Sequence, residues 1–169
     1  SMMAFQQKMN TAMVTAADRI LAAEPTAEQA NTAVRAKMIA LSMLQRLGDE
    51  AAGERLAKVP EELKAAGMPE LAREAEGFLL GHRLRHAMQA DAEEMKRLIG
   101  EVKAFLGQQP ARSEAHLAIM AAQVAEFSGN TDLAAATYEE FGQLLAQSDD
   151  ETIARLGTKM EGAARRMNL

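Results

Sequence analysis

The chain has 169 residues, 48% of them hydrophobic but only 4% aromatic, with no Trp and no Cys. Its net charge of −5 argues against a general affinity for nucleic acid or anionic membranes, both of which need a basic surface. The absence of cysteine excludes a disulfide framework, a thiolate zinc site and thiol chemistry within this chain.

An alanine-rich composition with twelve Met suits closely approaching helices better than a sheet. Ala4 to Ala23 predicts a first helix, with Phe5, Met9, Ala12, Ala16 and Ile20 as its core stripe and Pro25 beyond its end. Thr26, Glu28 and Gln29 start the second, whose stripe is Val34, Met38, Leu41 and Leu44 and whose stop is Gly48. The third begins at Asp49 and carries Ala52, Leu56, Val59 and Leu63 in phase, with a kink or break expected at Pro60.

Gly67-Met68-Pro69 launches a fourth helix from about Glu70 to Gln89, with Leu71, Ala75, Phe78 and Leu79 inward. Asp91 and Glu94 form a capping box for the fifth, where Met95, Leu98, Ile99, Val102, Phe105 and Leu106 make the widest apolar face. After the break at Gly107 to Pro110, Ser113 is placed as the cap of a helix with Leu117, Met120, Val124 and Phe127 as its stripe. Gly129 ends it, and Asn130 or Thr131 caps the next, which carries Leu133, Tyr138, Phe141, Leu144 and Leu145. Ser148 to Asp150 introduce a last helix containing Ile153, Leu156, Met160 and Met167. The expected fold is all-α: one domain of about eight short antiparallel helices, arranged as stacked αα-hairpins or, alternatively, as a closed bundle. Gly53, Gly77, Gly81 and Gly100, inside helices, are expected at close crossings, with Gly77 and Gly81 accepting a neighbour.

Candidate sites are few. His82 and His86 lie four residues apart on one helix face and could share a metal, but a zinc or copper site needs further ligands and the third histidine, His116, is distant in sequence. The plainer reading makes His82 a partly buried extension of the stripe and His86 a cation near the helix end. Arg73, Arg83 and Arg85 give this helix a basic character that an acidic partner could use, or that neighbouring glutamates neutralise. Adjacent acidic pairs such as Glu61-Glu62 and Asp149-Asp150 read as caps and solubilising charge. No phosphate loop, nucleophile elbow or dinucleotide fingerprint is present, so neither catalysis nor a cofactor is expected of this chain. No apolar run is long enough to span a membrane.

Two resemblances add to this. The hairpin around Gly129 resembles a tetratricopeptide repeat, with Ala122 and Ala134 at its small positions and Tyr138 at its aromatic one. The C-terminal stretch TKMEGAARRMNL resembles the end of the helical region ahead of the thioredoxin fold in some bacterial TlpA-like thiol-disulfide oxidoreductases. That resemblance implies a protein-interaction or dimerisation domain of the cell envelope or periplasm, with a Cys-x-x-Cys downstream; no catalytic residue of the family maps onto this chain. The start Ser1-Met2 likewise reads as that of a piece cut from a longer protein. A small-ligand or metal sensor centred on His82, His86 and Arg85, and a purely structural repeat module, are the alternatives.

Overall fold

A computed structural model describes all residues, 1–169. The chain is all-α, with eight helices and no strand. They are α1 (Met2–Ala22), α2 (Ala27–Arg46), α3 (Glu50–Ala65), α4 (Pro69–Arg85), α5 (Ala92–Leu106), α6 (Arg112–Phe127), α7 (Thr131–Ala146) and α8 (Glu151–Met167). Two compact units divide the chain, Ser1–Leu79 and Leu80–Leu169, and each has its own hydrophobic cluster.

In the first unit the stripes of α2 and α3 are buried as their spacing requires, with Leu41 wholly enclosed and Leu56 and Val59 at 2% exposure. The Thr26 hydroxyl accepts from Gln29 N–H while the Gln29 side chain accepts from Thr26 N–H, so two otherwise unpaired donors at the start of α2 are satisfied reciprocally. The expected break at Pro60 does not occur: α3 runs through it to Ala65. Pro60 removes one N–H from the ladder, and burial of its ring beside Val59 and Leu63 keeps the helix continuous.

The first helix departs most from expectation. Its buried residues are Asn10, Val14 and Ala17, while Phe5, Met9, Ala12, Ala16 and Ile20 all face solvent. Helix α1 packs chiefly on α2, and the narrow face it turns inward is the small one. Asn10 is tolerated there because its side-chain amide donates to the Gln6 carbonyl at 2.8 Å.

In the second unit, α5 buries Met95, Leu98, Ile99, Val102 and Leu106 against α6 and α7. Asp91 caps it through Glu94 N–H, although only that half of the expected capping box forms. Ser113 is not the cap of α6. The helix starts at Arg112, and the Glu114 carboxylate accepts from Ala111 N–H instead. Four alanines of α6, Ala118, Ala121, Ala122 and Ala125, are fully enclosed, whereas Phe127, expected in the stripe, stands 69% exposed. Phe127 is the last residue of its helix, and Gly129, at φ +81°, turns the chain away from it. Asn130 caps α7 as anticipated.

The tightest packing lies between α7 and α8. A Cβ built on Gly157 would stand 2.2 Å from the Ala146 nitrogen and 2.6 Å from the Gly142 carbonyl oxygen. A Cβ on Gly142 would meet the Glu161 nitrogen at 2.8 Å. Only two facing glycines let these backbones meet. Of the glycines singled out from the sequence, Gly100 has open space, Gly53 meets only the flexible Gln45 side chain, and Gly81 makes ordinary contact with Leu117 of α6.

Tyr138, buried in α7, donates its hydroxyl to Glu126 of α6 at 2.9 Å. Burial first, and then the adjoining carboxylate, push its ionisation up to about 12.

Two outcomes are expected. Gly157→Ala will lower unfolding stability by about 2–4 kcal/mol in chemical denaturation, because backbone must move to admit the methyl. Gly100→Ala, on an open helix surface, will raise it by about 0.5–1 kcal/mol; equal effects at the two positions would contradict the crossing. Tyr138 is the only tyrosine and there is no Trp, so absorbance at 295 nm reports one group. Its titration midpoint in the folded chain will lie near 12, against about 10 for an unfolded tyrosine. Because the folded value is the higher, the associated stability is complete below pH 10 and disappears as pH rises from 10 towards 12. Glu126→Gln will lower the midpoint and leave it above 10, since burial remains.

Candidate interaction surface

The surface that stands out is built from α1. Met2, Phe5, Met9, Met13, Ala16 and Ile20 recur at spacings of 3, 4, 4, 3 and 4, which places them on one helix face. All are exposed, the large ones at 74% for Met2, 64% for Phe5, 46% for Met9, 38% for Met13 and 43% for Ile20. Single exposed apolar residues are ordinary, but a continuous strip of them along about five turns is the pattern of an interaction face. Beside it, Thr11, Ala12, Thr15 and Ala16 line a shallow depression of about 510 Å³ bounded by Lys8 and Arg19. A second depression, about 460 Å³, holds Ile20 and Pro25 at the α1–α2 turn.

On its opposite side α1 is tied down by charge. Lys37 of α2 is 7% exposed, and its ammonium lies 2.7 Å from Asp18 of α1 and 3.4 Å from Glu62 of α3. The other oxygen of Asp18 accepts from Arg55 of α3 at 3.0 Å. One carboxylate thus joins two cations from two helices, which orients α1 on α2 and α3. Sequence reading missed Lys37, although its place between Val34 and Leu41, three and four residues away on the core face of α2, signals an inward lysine that needs a counter-charge.

The candidates drawn from sequence occupy α4. His82 is half-buried and His86 exposed, with their rings 4.5 Å apart. Nδ1 of His86 is 2.8 Å from the His82 carbonyl oxygen, a contact in which the ring nitrogen donates. His86 N–H bonds the Arg83 carbonyl three residues back, tightening the chain so that α4 ends at Arg85 and a 3₁₀ turn (Ala87–Gln89) replaces the last turn expected of it. No group of three or more potential metal ligands is assembled there or elsewhere. His116 is exposed on α6.

Arg83 makes a two-pronged ion pair with Glu101 of α5, its second arm at 3.2 Å. Arg85 projects about 200° around the helix from Arg83. Arg73 is exposed and belongs to the first unit, whereas Arg83 and Arg85 belong to the second. Glu74 of the same helix lies 4.0 Å from Arg35, and Glu76 pairs with Lys64 at 2.8 Å. The remaining acids are largely caps and surface charge: Asp150 caps α8 through Thr152 and Ile153, and the Arg112 guanidinium beside it holds its carboxyl below the usual range.

No family model matches the chain, and no curated protein or solved structure does. No helix is long and apolar enough to cross a membrane.

Removing the Lys37 ammonium while keeping its stem will separate the two roles of that residue. Lys37→Met is expected to stay within about 1 kcal/mol of the parent in denaturant unfolding, because an apolar side chain of similar length suits the site. Asp18→Ala, which leaves the inward ammonium with only the more distant Glu62, will cost about 1–3 kcal/mol, a range reduced for the half-exposed carboxylates. A reversed order would show that the pair itself supplies the stability.

Proposed function

We propose that this chain is a non-catalytic α-helical module whose work is to hold a protein surface, either a partner or another copy. The observation that carries this reading is the exposed Met and Phe face of α1, held outward while Val14 and Ala17 turn to the core. Methionine and phenylalanine are the residues interfaces favour, since both offer large apolar area and methionine adapts its shape. No group of three or more His, Cys, Asp or Glu side chains stands together as a metal site.

The resemblance of TKMEGAARRMNL to the segment ahead of the thioredoxin fold in TlpA-like oxidoreductases supports the more specific reading. On it, the module precedes and positions a thiol-disulfide oxidoreductase domain in the cell envelope. The tetratricopeptide-like hairpin at Gly129, with Ala122 and Ala134 enclosed and Tyr138 between helices, fits a scaffold built for protein contact. Sequencing the gene past the codon for Leu169 tests this part. A Cys-x-x-Cys within about a hundred residues, the span of one domain, is the expected result. A stop codon at that point, or a downstream domain with no such pair, overturns the oxidoreductase reading.

A further inference from the structure

The occupant of the α1 face can be argued further. This step rests on the reading of α1 as an interaction surface and names what covers it. We propose that the partner is a second copy of this chain, docked α1 to α1 about a two-fold axis.

Three observations favour a second copy. The first is area. With full side-chain areas of roughly 150–250 Å², the exposed fractions of Met2, Phe5, Met9, Met13 and Ile20 leave on the order of 500 Å² of apolar strip per chain. Two such strips face to face bury about 1,000 Å², the lower bound for a specific interface. The second is shape. A two-fold interface uses the same patch twice, so that patch must carry both the projections and the recesses. Helix α1 does so: its ridge of Met9 and Met13 runs beside the trough of Thr11, Ala12, Thr15 and Ala16, about a quarter-turn around the helix. The third is charge. The ridge and trough contain no carboxylate, Asp18, the one acid of α1, is turned to the other side and held by Lys37 and Arg55, and Lys8 and Arg19 sit at the trough's ends, where their stems add apolar cover and their charges reach water. Docking therefore buries no unpaired acid.

Ala12 lies at the middle of Met2–Ala22, so an α1–α1 pair centred on the helix brings the two copies of Ala12 near the axis, whichever way the helices run. The chain has no cysteine, which makes this directly testable. Sedimentation velocity of the full chain over a concentration series is expected to show reversible passage from 18.3 kDa to twice that mass. Phe5→Glu with Met9→Glu will weaken the association about 100-fold or more while circular dichroism remains helical. Ile39→Glu, at an exposed apolar residue of α2, will leave it unchanged. Ala12→Cys will form an intermolecular disulfide under mild oxidation much faster than Ile39→Cys, a readout that does not depend on charged variants folding. A chain that stays monomeric throughout, a dimer indifferent to Phe5→Glu with Met9→Glu, or equal cross-linking at positions 12 and 39 overturns the proposal. A monomer whose α1 face instead protects from hydrogen exchange on adding a helical peptide with acidic flanks also overturns the second copy, and leaves the interaction reading standing. If neither a copy nor such a peptide protects the face, that reading falls with it.

Discussion

A helix can bury only the faces that its neighbours reach, and this limit shapes both units of the chain. Helices α2 and α6 have neighbours that cover broad faces, and their enclosed residues span much of the circumference. Helix α1 has chiefly α2 beside it and encloses three residues of twenty-one. What remains of its surface would be unremarkable if it were polar. It is instead a second apolar face, larger than the buried one, and the ion pairs of Asp18 fix which of the two looks inward.

Packing in the second unit sets small residues against large ones. Enclosed alanines on α6 leave room for larger side chains, and Phe141 and Tyr138 of α7 are buried in the same cluster. The buried ammonium of Lys37 in the first unit obeys the opposite logic. It contributes little net stability once its desolvation is counted, and its importance lies in orientation, since only one rotation of α1 presents Asp18 to both Lys37 and Arg55.

Eight helices and most of their boundaries were legible because spacing, caps and stops are local. Val34, Met38, Leu41 and Leu44 are buried as read, and so are Ala52, Leu56, Val59 and Leu63. The reading failed where the outcome turns on something distant. Periodicity reports that Phe5, Met9 and Ile20 share a face, and it equally reports that Val14, Ala17 and Leu21 share another. Which face is covered depends on the partners α1 meets, and bulk misled the choice. Phe127 has the right phase for a core residue and is exposed because the helix ends beneath it. Gly142 and Gly157 attracted no notice because a crossing needs two glycines from separate helices, a pairing that no window of sequence displays. The candidate surface was therefore present in the chain as residues, and absent from the sequence reading as a surface.

The meeting of Gly142 and Gly157 also limits motion. Packed helices usually accommodate change by sliding a little over interdigitated side chains, each rotating within its rotamer well. At this crossing Gly157 stands directly against the backbone of Gly142, Leu145 and Ala146, which has no rotamer to change. Sliding either helix by one residue would bring Phe141, Gln143, Leu156 or Thr158 into a space that admits only hydrogen. Helices α7 and α8 are consequently a single strut: whatever attaches to one end is carried rigidly with the other.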